Sequence, residues 1–237
     1  MRVLLACAPK SGSTFIVNAL GAALQVPVVR LTPGYGRREQ ELSERVIQEA
    51  GESFVAQHHV RFSEITGDLL ERYGIAPVVL MRNLSDTVVS IRDHFEHEGV
   101  GGPLVYLDES FNTLPEDVRT SAIVDLMAPW YFSFARSWAD CPTATAITYE
   151  GFFSEPAWAL ASLCSKLGVD LSPERASAAI DTALKGFNRF NVGATGRGRT
   201  LGPQLCARMR RMASYFPDHD FGALGFGHGQ EPTGRAN

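Results

Sequence analysis

Apolar residues fall into short unbroken runs, separated by longer stretches in which they recur at three- and four-residue intervals. Unbroken runs suit strands buried on both faces, and the longer period suits helices that lay one side against them. The pattern predicts strands near Arg2–Ala8, Val26–Leu31, Ser53–His59, Pro77–Met81 and Thr143–Tyr149. It predicts helices over about Ser13–Leu24, Arg37–Ala50, Phe62–Tyr73, Ser85–Glu98, Pro115–Ala139, Glu155–Leu167 and Pro173–Leu184. Alternation of this kind is the signature of an α/β fold with a parallel sheet covered by helices. Val26–Leu31 is short, as an edge strand would be.

Punctuation between the elements adds detail. Thr32-Pro33-Gly34-Tyr35-Gly36 carries a Pro-Gly turn signal between the second strand and the second helix. The Gly-rich connection that begins at His97-Glu98-Gly99-Val100-Gly101-Gly102-Pro103 is longer than a structural loop needs, so segment 97–125 suits a lid or acceptor-binding role. The tail from about residue 228 is expected to fray. At 237 residues, 45% hydrophobic and 20% charged, the chain suits one globular domain spanning 1–237. A net charge of −4 argues against a nucleic-acid or anionic-membrane partner, so any anionic ligand needs a local basic cluster. Cys7, Cys141, Cys164 and Cys206 lack C-x-x-C spacing, which points to reduced thiols rather than a zinc site or a disulfide framework. The first strand starts at once, with no signal-peptide pattern, and no run approaches the roughly 20 apolar residues of a membrane span. A cytoplasmic protein is expected.

Candidate chemistry concentrates first in Leu4-Leu5-Ala6-Cys7-Ala8-Pro9-Lys10-Ser11-Gly12-Ser13-Thr14-Phe15. A buried strand feeding a tight loop and then a helix aims free backbone N–H groups and the positive helix end at one point. Lys10 adds a full charge, and Ser13 and Thr14 add hydroxyls; the combination holds a phosphate-like anion. The order is not that of a Walker A loop, G-x-x-x-x-G-K-[ST], because Lys10 precedes Gly12 and no Gly opens the loop. A second segment, Val78-Val79-Leu80-Met81-Arg82-Asn83, ends a strand on a cation where a magnesium-dependent enzyme would carry Asp. Asn83 or Ser85 caps the helix that follows, Asp86 complements its dipole, and Ser90 lies near the face of Asp86 and His94. Between these segments, Phe54-Val55-Ala56-Gln57-His58-His59-Val60 puts Gln57 and His59 on one face of a strand and His58 on the other.

Pro9-Lys10-Ser11-Gly12-Ser13-Thr14 resembles the 5′-phosphosulfate loop of sulfotransferases that use 3′-phosphoadenosine 5′-phosphosulfate (PAPS). Arg82-Asn83-Leu84-Ser85-Asp86-Thr87-Val88-Val89-Ser90 resembles the family's R-N-P-x-D-x-x-x-S stretch, with Leu84 in place of Pro. The Gln57–His59 strand is similar to one ending in K-T-H, which makes His59 the base and leaves Gln57 where the family has Lys. Ile147-Thr148-Tyr149-Glu150-Gly151-Phe152 resembles the strand-ending Y-E-D-L segment, with Gly151 in place of the acid. Asn191-Val192-Gly193-Ala194-Thr195-Gly196-Arg197-Gly198-Arg199 resembles the R-K-G-x-x-G-x-W loop, without the Arg-Lys pair or the Trp. The resemblance runs from residue 4 to about residue 203.

It implies a P-loop-like, three-layer α/β domain around about five parallel strands, and transfer of a sulfuryl group from PAPS to an acceptor hydroxyl or amine. Lys10 would face the bridging oxygen and leaving phosphate, and His59 would accept the acceptor's proton. The amides of Ser11, Gly12, Ser13 and Thr14, with the hydroxyls of Ser13 and Thr14, would hold the 5′-phosphosulfate. Phe15 stands where a Trp usually stacks on adenine, and Tyr149 joins the nucleotide site. Arg82 and Ser90 would grip the 3′-phosphate, helped by Gly193, Gly196 and either Arg197 or Arg199. No metal is expected, and the acceptor is a small molecule or glycan. A P-loop kinase, or a nucleotide-binding protein without sulfuryl transfer, is the competing reading. The sequence is silent on oligomeric state.

Overall fold

The computed structural model describes residues 1–33, 41–100, 105–186 and 194–227. The chain runs β1 (Arg2–Cys7), α1 (Ser13–Leu24), β2 (Val28–Val29), α2 (Glu44–Glu49), β3 (Phe54–His58), α3 (Glu64–Arg72), β4 (Ile75–Met81) and α4 (Leu84–Glu98). It continues through α5 (Glu116–Trp138), β5 (Thr145–Thr148), α6 (Tyr149–Ser154), α7 (Pro156–Lys166), α8 (Pro173–Lys185) and α9 (Pro203–Ala213). Short 3-10 turns lie at Glu109–Thr113, Arg197–Thr200 and Gly222–Leu224.

The five strands form one parallel sheet in the order β2-β3-β1-β4-β5. Central β1 is buried on both faces, which explains its unbroken apolar run. Leu4, Ala6 and Ala8 enter one layer of core with Phe54, Val79 and residues of α3, α4 and α5. Val3, Leu5 and Cys7 enter the other, with Val55, Val78, Leu80 and residues of α1, α7 and α8. Ala6 pairs with His58 on β3, and Cys7 with Leu80 on β4. From β1 the chain moves out to β2 on one flank and later crosses to β4 on the other. The carboxyl end of β1 therefore lies at the switch point where open α/β sheets bind ligands.

The predicted α/β architecture and all five strands are present. β2 is reduced to two residues at the sheet edge, pairing only with Val55 and Ala56. The predicted second helix begins only at Glu44, after Ser43, and residues 34–40 lie outside the described set. Two helices lie outside the predicted set. α6 follows β5 without a loop, because Thr148 ends the strand and its hydroxyl caps the Gly151 N–H. α9 buries Met209 and packs Leu205, Cys206 and Met212 on the core, a three- and four-residue spacing that the pattern does carry. Of the segment read as a lid, residues 116–125 are part of α5. Among the described residues no helix is long and apolar enough to cross a membrane.

His58 belongs to this scaffold. Its Nε2 accepts the Leu31 N–H at 2.7 Å, tying the end of the edge strand to β3. Burial, together with His59 and Arg30, drives its pKa down to about 3 from 6.5. The neutral ring is the form that folds. Because the unfolded chain takes up this proton first, the stability His58 contributes is present above about pH 6.5 and is lost as pH falls toward 3. A His58→Gln variant keeps an acceptor but cannot titrate. Relative to it, the native chain is expected to lose about 4 kcal/mol between pH 7 and pH 3, an upper figure for a shift of this size. Urea denaturation of both proteins across that range measures the difference; parallel curves would remove His58 as the cause.

Candidate anion and proton-transfer site

The loop between β1 and α1 has an unusual backbone. Lys10 (φ 62°) and Gly12 (φ 75°) are both left-handed, with Ser11 at negative φ between them. Alternating hand of this kind turns successive N–H groups toward one side. The carbonyls are turned the other way, and four in succession are held by side chains. His59 Nδ1 bonds the Cys7 carbonyl at 2.8 Å, and Ser11 Oγ donates to that of Ala8 at 2.6 Å. Tyr131 Oη donates to that of Pro9 at 2.9 Å, and Arg82 Nη1 to that of Lys10 at 2.8 Å. Among the described residues, none of the amides of Ser11, Gly12, Ser13 and Thr14 has an acceptor. α1 has neither a capping side chain nor an acid in its first turn. Its positive end is left for an anion.

Gly12 is required twice over. Its φ suits glycine, and a Cβ there would come within 2.9 Å of the Tyr149 ring and 3.0 Å of Phe153. Those two rings stack against each other at 4.4 Å, and Phe153 lies 5.4 Å from Phe15. Phe15 itself is only 2% exposed, packed in the core under Phe152 and Phe153. The expected stacking platform is thus sunk below the loop, and Tyr149 and Phe153 are the rings that border it. The reason is β5 running straight into α6, which lays two aromatic residues over α1.

Arg82 joins the early and middle segments. It is 7% exposed, and besides the Lys10 carbonyl it donates through Nη2 to the Ala194 carbonyl at 3.2 Å. Its guanidinium lies 4.1 Å from the centre of the Tyr149 ring, a cation–π contact. Its Nε is buried without a partner. Burial and the neighbouring Glu150 and Asp86 charges raise the Tyr149 phenol, against the opposing pull of Arg82. Ser90 is buried on α4, two turns beyond Arg82.

The late loop is fastened to α4 by Asp86. Its two carboxylate oxygens accept the Gly196 N–H at 2.7 Å and the Gly198 N–H at 2.6 Å. Gly198 sits so close to α4 that a Cβ would be 2.4 Å from that of Ser85. Asp86 was expected as a helix-terminal charge; it does that and also staples a segment over a hundred residues away. Asn83, not Ser85, caps the helix, accepting the Asp86 N–H at 3.2 Å. Arg197 pairs with Asp93 on α4 at 2.5 Å, so its charge is shared with a carboxylate, while Arg199 is exposed. Gly193 lies outside the described residues.

Gln57 on β3 and His59 just past its end both reach Cys7, as side chains two residues apart on an extended chain do. The bond from Nδ1 to the Cys7 carbonyl fixes the tautomer and leaves Nε2 with a lone pair and no partner among the described residues. Burial lowers the basicity of the ring, but the adjacent Cys7 sulfur and carbonyl outweigh it, and His59 titrates above its ordinary 6.5. Among the described residues, no three His, Cys, Asp or Glu side chains are grouped to hold a metal ion. Among the aromatic residues of this half of the chain, Phe95, Phe111 and Phe132 are core, whereas Tyr106 is 81% exposed.

With this geometry established, solved structures supply the comparison. The chain superposes on a mouse sulfotransferase, SULT7A1, complexed with PAP, with a TM-score of 0.69 over 95% of this chain and 86% of that one, at 13% identity. The fold is that of a sulfotransferase. Retinol dehydratase in a complex with retinol and PAP gives a TM-score of 0.63 over 93% of this chain and 83% of that chain, at 14% identity. A sulfotransferase from Alicyclobacillus acidocaldarius gives 0.50 over 94% and 93%, also at 14%. No family model and no curated protein sequence matches the chain.

Within the sulfotransferase fold, Tyr131, Cys7 and the stapling role of Asp86 escape a motif reading. Tyr131 lies in an apolar helical stretch, and the available signal is that a buried Tyr needs a partner for its hydroxyl. A Tyr131→Phe variant keeps the ring and leaves the Pro9 carbonyl unpaired. It is expected to lose about 1–3 kcal/mol of stability. Asp86→Asn is expected to speed hydrogen exchange at the Gly196 and Gly198 amides, and unchanged exchange there would refute the staple.

Proposed function

We propose that the chain is a PAPS-dependent sulfotransferase that moves a sulfuryl group to the hydroxyl or amine of a small-molecule or glycan acceptor, with His59 as general base and no metal. The observation that carries this reading is the direct bond from Arg82 to the Lys10 carbonyl. It brings a buried cation from mid-chain onto the backbone of the anion loop, so one ligand carrying two separated anionic groups can meet both. The donor's fit is supported by the unpaired amides of residues 11–14 and by the buried, unpaired Nε of Arg82, which matches an anionic oxygen.

PAPS, when bound, supplies the sulfuryl group on its 5′-phosphate. The chain's own residues do the rest. The amides of Ser11, Gly12, Ser13 and Thr14, with the Thr14 hydroxyl, hold the 5′ end; the Ser11 hydroxyl closes the loop and the expected Ser13 hydroxyl must first leave the Cys7 sulfur to join them. Lys10 carries charge to the side where the leaving phosphate becomes more negative. Arg82, backed by Tyr149, addresses the 3′-phosphate with Ser90 and the loop of Gly193, Gly196 and Arg197. Phe15 supports the nucleotide from beneath, through Phe153. His59 Nε2 takes the proton from the acceptor as its oxygen or nitrogen bonds to sulfur and the sulfur–oxygen bond to the 5′-phosphate breaks. Positioning and fixed charge dominate such a transfer, as in phosphoryl transfer. A kinase reading wants a carboxylate where β4 ends in Arg82.

The test is release of adenosine 3′,5′-bisphosphate from PAPS in the presence of an acceptor library, set against ATP with magnesium. Turnover with ATP and none with PAPS would overturn the proposal. His59→Ala is expected to lower kcat on the order of 10²- to 10⁴-fold while calorimetry shows donor affinity kept. Arg82→Ala is expected to weaken adenosine 3′,5′-bisphosphate binding by about 10-fold or more, the loss of a charge-assisted contact. Because the base must be unprotonated, kcat/KM should fall toward acid with a midpoint above pH 6.5, the direction set by Cys7. A midpoint well below 6.5 would remove His59 as the base.

A further inference from the structure

His59 accounts for proton transfer, but the residue beneath it has polar contacts that packing alone does not require. Cys7 ends β1 with no exposed surface, among the apolar side chains of the α1 layer. A free, buried cysteine ordinarily behaves as a small hydrophobe. Here Gln57 Nε2 donates to its sulfur at 3.3 Å, and His59 Nδ1 lies 3.5 Å from it. The thiol itself donates to the His58 carbonyl at 3.7 Å. The Ser13 side chain bonds the sulfur as well, so polar groups from α1 and from the end of β3 meet on one thiol. The Gln57 side chain thereby finds a use at the position where the sequence resemblance has a lysine: it grips a sulfur in place of presenting a charge.

We propose that Cys7 is a positioning residue for His59: its sulfur, held by the Gln57 amide, shares the Nδ1–H of the ring with the Cys7 carbonyl, so that Nε2 remains the accepting nitrogen and the imidazolium formed by proton transfer is stabilised. The assignment rests on His59 being the base. Residue 7 acts on the ring twice, through a main-chain oxygen that no substitution removes and a side chain that a substitution does remove. The groups facing the pair are Ser13 on α1, Gln57 and His58 on β3, Arg30 beyond β2 and Tyr131 on α5. Of these, Arg30 opposes a positive ring, and His58 stays neutral at working pH. Sulfur is polarisable and favours the charged form. Burial raises the Cys7 thiol, but the His59 charge and the bonds from His59, Ser13 and Gln57 bring it below its ordinary value.

The test compares the native chain with Cys7→Ala and Cys7→Ser, following the His59 ring by NMR through a pH titration without donor or acceptor. The His59 signal is assigned with His59→Gln. In Cys7→Ala the midpoint is expected to fall, and in Cys7→Ser, which keeps a shorter polar group, to fall less. With donor and acceptor present, Cys7→Ala should lower kcat on the order of 10-fold, leave the KM for PAPS unchanged, and move the acid limb of kcat/KM to lower pH. Serine should restore part of the rate. A merely structural cysteine would move neither the titration nor the acid limb. Unchanged His59 midpoints in both variants would overturn the proposal, whatever the enzyme does. If the midpoints shift while the native chain transfers no sulfuryl group to any acceptor, the link between Cys7 and His59 stands and the proposed function fails.

Discussion

Four consecutive carbonyls, from Cys7 to Lys10, each accept a hydrogen bond from a side chain: His59, Ser11, Tyr131 and Arg82. The geometry of the loop depends on them. A left-handed lysine costs on the order of 1–3 kcal/mol and persists only where its surroundings over-determine it. Here the surroundings come from β3, the loop itself, α5 and the end of β4, three of them distant in sequence. The Lys10 carbonyl shares a rigid peptide plane with the Ser11 N–H, so the Arg82 bond to that oxygen aims the Ser11 amide the opposite way. The amides of Gly12, Ser13 and Thr14 are set by the left-handed Gly12 and the first turn of α1. The shape of the loop thus comes from held carbonyls on its β1 side and from the glycine and the helix on the other.

Two of those four side chains do more than hold the loop. Arg82 is buried with no carboxylate among the described residues pairing with it; carbonyl oxygens and the Tyr149 ring offset its desolvation only in part. That remainder is what the proposed function assigns to the anionic donor. His59 uses Nδ1 on the Cys7 carbonyl, and the same bond that steadies the loop selects the nitrogen left to accept a proton. The two side chains to which the proposed function gives donor binding and proton transfer thus hold one stretch of backbone between them.

The adjacent histidines show how neighbouring residues of one type take opposite parts. Side chains alternate across β3, so His58 enters the layer beneath Leu31 while His59 turns toward Cys7. Burial without a counter-charge drives His58 to the neutral state, where it serves as an acceptor for the edge strand. Sulfur and carbonyl contacts push His59 the other way. Asp86 likewise combines a helix-end charge with two bonds to a remote loop.

The sheet, its parallel sense and the three chemical segments were legible in the sequence because each depends on local order. Apolar runs mark buried strands, three- and four-residue spacing marks helices, and Pro9–Thr14, Gln57–His59 and Arg82–Ser90 hold their candidate chemistry within a few residues. The alternation of β3 even separates His59 from His58. What the tertiary structure decided is everything that needs two distant segments: Tyr131 on Pro9, Asp86 on Gly196 and Gly198, Gln57 on Cys7, and the burial of Phe15 beneath Phe153. Arg197 stands in the sequence as a cation without a visible partner, and packing of its loop on α4 sets Asp93 beside it. Such contacts depend on how helices pack over the sheet, and a one-dimensional pattern of polar and apolar residues records burial but not partners.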